Sequence, residues 1–181
     1  MKGSLILLIA AVFPLCWLLS ARASDLGVID VRYDKFDDIT KVSTVESKIS
    51  DALGRRQENQ DLRFKVAYEC TGETTHCRPE RVEFRFLSQS VGEYTGSDQL
   101  IFIVDGKRIR SGVRWKGEYG RSVLVEYITA TLNLEEFLTL ANAKKVEAKL
   151  GGTTFTFSDD NFRALRGLAG EISPTASLEK I

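Results

Sequence analysis

The sequence predicts an α+β domain, mainly antiparallel β-hairpins forming a sheet or sandwich, with two C-terminal helices packed on the sheet. Three observations carry this expectation. Apolar and polar residues alternate through most of the chain, the period of a half-buried strand. Asp105-Gly106 and Gly151-Gly152 each sit between two such runs, where two-residue hairpin turns form. Helical periodicity with capping residues at its start occurs only from Asn133 onward.

The chain begins with Lys2, an apolar run from Leu5 to Leu19 broken by Pro14, and Ser20-Ala21-Arg22-Ala23 with an A-x-A spacing. This is the three-part pattern of a secretory signal peptide, so residues 1–23 are expected to be cleaved after Ala23. The run is shorter than the roughly 20 residues of a spanning helix, which predicts no transmembrane segment after cleavage. Phe13-Pro14-Leu15 are bulky where lipidation of Cys16 would need small residues. The expected location is therefore periplasmic or secreted. Of 25 basic and 25 acidic side chains, the leader would remove Lys2 and Arg22 and no acid, leaving a net of −2. That balance lacks the basic footprint of a nucleic-acid binder. Residues 24–173 are expected to form one globular domain with its own core, and 174–181 a flexible tail.

Ile29, Val31 and Tyr33 alternate with polar residues as a first strand, and Asp34 to Asp38 form a polar turn. Thr40 to Ile49, rich in β-branched residues, reads as one second strand. Leu53 to Asp61 is a surface connection. Leu62, Phe64, Val66 and Tyr68 define one face of a third strand, and Val82, Phe84 and Phe86 one face of a fourth. Between them Cys70 and Cys77 are an even pair suited to a disulfide in an oxidising compartment. Direct pairing of Cys70 with Cys77 in a regular ladder would set Phe64 against Glu83. A bulge near Arg78-Pro79 is therefore expected, because a one-residue shift turns every side chain over.

Ser88 to Asp98 reads as a loop. Asp105-Gly106 then predicts a type I′ hairpin pairing Val104 with Lys107 and Phe102 with Ile109. Leu100 to Val104 is apolar at every position, which predicts a central strand covered on both faces. Gly112, Gly117 and Gly120 interrupt the following segment, after which Val123, Val125 and Tyr127 alternate, with Leu124 and Ile128 on the other face. Asn133 and Glu136 form a capping box for a helix bearing Leu134, Phe137, Leu138 and Ala141 on one face. The Gly151-Gly152 turn predicts that Ala148 faces Phe155 and Val146 faces Phe157. Ser158, with Asp159-Asp160 in the first turn, starts a last helix with an apolar stripe at Phe162, Leu165, Ala169 and Ile172. Pro174 stops it.

Chemistry-bearing groups are sparse. His76, the only histidine, lies beside Cys77 with Cys70, Glu69 and Glu73 nearby. That set has zinc-ligand types, but export favours a disulfide with an exposed histidine. Asp37-Asp38, Glu135-Glu136 and Asp159-Asp160 are carboxylate pairs, yet adjacent residues diverge on a strand or helix. Neither a phosphate loop nor a dinucleotide fingerprint occurs. No cofactor or metal is expected. The candidate binding residues are Lys107, Arg108, Arg110, Arg114, Trp115 and Lys116, a basic run with an aromatic, suited to an acidic protein or an anionic envelope surface. The competing expectation is a solvated strand whose charges guard an edge. The leading functional expectation is a non-catalytic exported module that binds through this run. The alternative is a carboxylate- or metal-dependent extracytoplasmic hydrolase.

The run from Tyr33 to Thr40, and the later runs Leu134 to Ala143, Val146 to Gly151 and Phe155 to Leu168, resemble those of exported bacterial domains of unassigned function. The resemblance implies a bacterial secreted or periplasmic domain and supplies no catalytic residues.

Overall fold

The computed structural model describes residues 29–49, 62–90, 92–119 and 124–172. The expected signal peptide, the connection from Leu53 to Asp61 and the C-terminal tail lie outside them. The strands are β1 (Ile29–Asp34), β2 (Ile39–Thr44), β3 (Ser47–Lys48), β4 (Leu62–Thr71), β5 (Arg81–Ser90), β6 (Gln99–Val104), β7 (Lys107–Tyr119), β8 (Leu124–Asn133), β9 (Val146–Leu150) and β10 (Thr153–Thr156). The helices are α1 (Leu134–Ala141) and α2 (Asp159–Glu171). All pairings are antiparallel, in the order β1-β2-β4-β5-β8-β7-β6-β9-β10, with β3 added beside β4. The protein is thus α+β, mostly antiparallel sheet with two helices late in the chain.

The sheet does not lie flat. Neighbouring strands are about 4.8 Å apart, so β4 and β10, six places apart, would be separated by about 29 Å in a plane. Yet Phe64 on β4 stacks on Phe157, just after β10, with ring centroids 5.3 Å apart. Phe84 on β5 likewise meets Phe102 on β6 at 5.7 Å. The sheet therefore curls until its two halves face each other across a phenylalanine-rich core. Helix α2 packs beside β1, β2, β4 and α1 at the open side of the curl.

Strand β7 makes the corner. Its first half pairs with β6 as far as Gly112, and its second half pairs with β8 from Val113 onward. Where the partner changes, the Ser111 hydroxyl accepts from the Thr131 N–H at 3.2 Å and donates to the Thr131 carbonyl at 2.9 Å. A side chain thus satisfies the backbone groups that the ladder leaves at the turn of the sheet. Sequence reading expected glycines to interrupt this segment. Instead, β7 runs through Gly112 and Gly117 as thirteen continuous residues. Gly117 has a packing reason: a Cβ there would lie 2.6 Å from the Trp115 ring.

The Asp105-Gly106 turn has φ of +46° and +87°, the two left-handed residues that type I′ requires. Its register sets Val104 against Lys107 and Phe102 against Ile109, as expected. Strand β6 is not central, however. It stands seventh of nine along the path, and only Leu100, Phe102 and Val104 enter the core. Ile101 and Ile103 face outward and are half-buried. The continuous apolar run misled because an outward isoleucine pair reads like a second buried face.

Three further differences have local causes. The β4–β5 ladder sets Phe64 against Phe86 and ends at Ala67 and Glu83. In that ladder paired numbers sum to 150, whereas Cys70 and Cys77 sum to 147. The irregular segment before β5 absorbs this three-residue offset, in place of a single bulge. The stretch from Thr40 to Ile49 is two strands, because Val45 and Glu46 leave β2 before Ser47–Lys48 pairs with β4. Strand β5 extends to Ser90, beyond the point where a loop was expected.

Both helices carry the caps their sequences announce. The Asn133 side chain accepts from the Glu136 N–H at 2.9 Å, and Glu136 accepts from the Asn133 N–H at 3.1 Å. Ser158 and Asn161 make the same reciprocal pair for α2. Asn161 also donates to the Lys48 carbonyl at 3.3 Å, which ties α2 to β3. Arg166 donates to the carbonyls of Ala141 and Ala143, closing the C-terminal end of α1. The β9–β10 hairpin sets Ala148 against Phe155, and the Phe157 N–H donates to the Val146 carbonyl, as the diglycine turn predicts.

Asp105 does more than turn the chain. Its carboxylate accepts from the Lys145 N–H at 2.9 Å and the Lys144 N–H at 3.2 Å, fastening the hairpin tip to the loop after α1. These backbone bonds, Lys145 first, hold its carboxyl below the usual carboxylate range. A folded-state pKa lowered in this way contributes stability above the unfolded-state value, and that stability is lost as pH falls through the folded one. Asp105→Asn keeps a favourable I′ turn residue but removes the charge. Its melting temperature is expected to lie below that of the parent at pH 7, with the gap closing as pH falls through the lowered folded-state pKa of Asp105. Thermal denaturation of both proteins across that range checks this.

Candidate functional site

Directly opposite residues in an antiparallel ladder share a face. On β7 the odd positions from Ile109 to Gly117 turn toward the core side, and Arg108, Arg110, Arg114 and Lys116 turn to solvent. All four of these cations are exposed, as is Lys107 beside the turn. Trp115 is turned away from them. It is half-buried against the core, and its indole N–H donates to the Glu126 carboxylate at 2.9 Å. Of the six candidate residues, the five cations are displayed and the tryptophan is structural in its contacts. Tyr119, at the far end of the strand, is 88% exposed.

The fold enlarges the basic face with residues that sequence order hides. Arg114 pairs with Thr129, Thr129 with Arg85, and Arg85 with Lys65, so three cations and a threonine cross four strands in one row. The next row runs Lys116, Tyr127, Leu87, Arg63. Several of these charges are offset. Arg85 meets Glu83 at 2.7 Å, Arg114 reaches Glu83 at 4.0 Å, Lys116 meets Glu118 at 2.7 Å and Lys65 meets Asp30 at 3.7 Å. Exposed pairs of this kind contribute about 0–1 kcal/mol each, so an anionic ligand can replace them at little cost.

Arg108 and Arg110 differ. Among the described residues neither has a carboxylate within ion-pairing distance. They stand opposite Ile103 and Ile101, which in turn stand opposite Glu147 and Lys149 on β9. Ile101, Ile103, Arg108, Glu147, Lys149 and Thr154 are among the residues lining a shallow cleft of about 580 Å³ on the outside of this half of the sheet. Ile101 and Ile103 lie between the cations Arg108 and Lys149 and the Glu147 carboxylate, which is already paired with Lys145 at 2.6 Å, a combination suited to an anion that carries an apolar part.

The other sequence candidates are dispersed. Cys70 and Cys77 form a disulfide with an S–S distance of 2.02 Å. His76 is exposed, and its Nδ1 lies 3.0 Å from the Glu171 carbonyl. Asp37-Asp38 lie in the β1–β2 turn, Glu135-Glu136 open α1 and Asp159-Asp160 open α2. Each carboxylate pair is on a different element, and Glu136 is half-buried in its capping contact with Asn133. Among the described residues no three histidine, cysteine, aspartate or glutamate side chains gather as a metal site would need. No described helix is long and apolar enough to cross a membrane.

One ionisable group escaped sequence reading. Glu126 is fully buried, and its carboxylate accepts from the Trp115 indole N–H and, at 3.0 Å, from the Tyr94 backbone N–H. Opposite it on β5 sits Ser88, also fully buried, whose hydroxyl has no hydrogen-bond partner among the described residues. Tyr94 itself is buried, which pushes its phenol up to about 12. The neighbouring Thr153 hydroxyl partly opposes that shift. Glu126 thus holds the segment around Tyr94 over one end of the core. The available signal was the alternation of Ile128, Ala130 and Leu132, which places Glu126 on the same inward face. No family model, no curated protein and no solved structure matches the chain, so the likeness to exported bacterial domains rests on the sequence runs alone.

Proposed function

We propose that the protein is a non-catalytic extracytoplasmic module that docks on an anionic surface of the cell envelope through the outward face of β7. The observation that carries this reading is the co-facial set Arg108, Arg110, Arg114 and Lys116 on one strand, continued by Arg85 and Lys65. The Ile101–Ile103 floor beside Arg108 favours a lipid headgroup with its adjoining acyl carbons over a purely polar polyanion. The Cys70–Cys77 disulfide accords with an oxidising compartment. An acidic protein on the same face is the second reading, supported by the same charges but leaving the isoleucine floor unused.

Co-sedimentation with phosphatidylglycerol vesicles, phosphatidylcholine vesicles and polyglutamate separates these readings. The parent is expected to bind the phosphatidylglycerol vesicles in a salt-sensitive way. Joint replacement Arg108→Ala, Arg110→Ala and Arg114→Ala removes about 1 kcal/mol per side chain near an anionic surface, weakening binding roughly a hundredfold. The melting temperature should hardly move, because all three side chains are exposed. Binding that survives the triple replacement contradicts the proposal. Binding to polyglutamate but not to vesicles favours the acidic protein.

A further inference from the structure

Strand β1 ends the sheet, and among the described residues it pairs only with β2. Its outer row of N–H and C=O groups is a template for another strand, the kind of edge that proteins usually blunt with a bulge, a proline or a very short strand. Here six consecutive residues pair with β2 without a bulge or a proline. Val31 is 46% exposed and Tyr33 40% exposed, on the same face as the core. On the other face stand Asp30 and Arg32, which already meet within the strand at 3.1 Å.

The order of these residues is self-complementary. Consider two copies of β1 side by side and antiparallel, with Val31 opposite Val31 of the second copy. Ile29 then faces Tyr33, and Asp30 faces Arg32, on both sides of the two-fold axis. One face gains a continuous set of six apolar side chains, and the other gains two ion pairs. Sliding by two residues in one direction sets Asp30 against Asp30. Sliding in the other direction sets Arg32 against Arg32 and Asp30 against Asp34. Like charges directly opposite destabilise a ladder, so neighbouring registers that keep the same face are disfavoured. Sliding by one residue sets Val31 against Arg32 and Asp30 against Tyr33.

We propose that β1 is a self-recognition edge, through which two copies of this chain join their sheets about a two-fold axis at Val31. The interface is isologous, as closed dimers require. It extends each copy's sheet without touching β7, so both basic faces stay exposed and a dimer presents two of them to one anionic surface.

Single-cysteine scanning tests the register. In a Cys16→Ser chain that keeps its Cys70–Cys77 disulfide, Val31→Cys places two thiols opposite one another, within the Cα separation a disulfide accepts. Asp30→Cys and Arg32→Cys place like thiols two residues out of step, beyond about 7 Å. Mild oxidation is expected to convert most of the Val31→Cys protein to a covalent dimer on non-reducing gels and to leave the other two at monomer mass. Sedimentation should show the parent as a dimer and Val31→Lys as a monomer at the same concentration, with unchanged far-ultraviolet circular dichroism. A parent that sediments as a monomer at the highest soluble concentration overturns the proposal. So does equal cross-linking by all three cysteines, or a Val31→Lys protein that still associates.

Discussion

Phe157→Ala is expected to cost about 4 kcal/mol of folding stability, within the range for truncating a buried phenylalanine. The reason is position. Phe157 follows β10, and its ring lies 5.3 Å from Phe64, 6.2 Å from Phe102, 6.0 Å from Phe155 and 6.1 Å from Phe162. Those four rings belong to β4, β6, β10 and α2, so one side chain joins both halves of the curled sheet and the helix that closes it. Truncation forfeits the aromatic contacts and leaves a cavity where four elements meet and none can collapse alone. Urea denaturation should show the full loss, and Phe157→Leu should recover more than half of it. A loss below about 1 kcal/mol would mean that the halves are held together elsewhere.

Glu126→Ala is the second large effect, also about 4 kcal/mol, but its origin is polar. Burying a carboxylate is tolerated only when donors reach it, and here the Trp115 indole and the Tyr94 backbone both do. Removing the acceptor leaves two N–H groups at a dry core end, each costing about 1–3 kcal/mol, and adds a cavity. Glu126→Gln keeps an acceptor oxygen and should lose only about 1–2 kcal/mol. The chain has two tryptophans, Trp17 and Trp115, so in a Trp17→Phe chain the emission reports on this site alone. Emission from the alanine variant should shift to the red as water reaches the indole. Unchanged emission with unchanged stability would show that Glu126 does not hold this end of the core.

The legible parts of the fold were those decided locally. Asp105-Gly106, Gly151-Gly152, the Asn133–Glu136 box and the Ser158 cap specify their own geometry within a few residues, and the structure has each of them. Whatever depends on how the sheet curls was less legible. The alternation in β7 shows which side chains share a face, but not that the strand changes partners at Gly112 and Val113. Ile101 and Ile103 read as buried because periodicity cannot tell a second layer from a half-exposed aliphatic floor. The basic run was visible as a cluster, whereas Arg85 and Lys65 join it only through pairing across β8 and β5. Trp115 illustrates the same limit: its place in a charged run suggested display, while strand parity turns it inward to Glu126.

The most direct test of the docking face is a map of where an anionic surface touches the molecule. Amide chemical shifts of isotope-labelled protein, followed during titration with phosphatidylglycerol bicelles, give that map. The expected result is a contiguous response over Lys107 to Lys116 and Gln99 to Val104, with smaller changes around Thr129 and Arg85 and none along α1. A response confined to other surfaces, or no response at bicelle concentrations well above those that saturate basic peripheral proteins, would contradict the assignment of β7 as the docking strand.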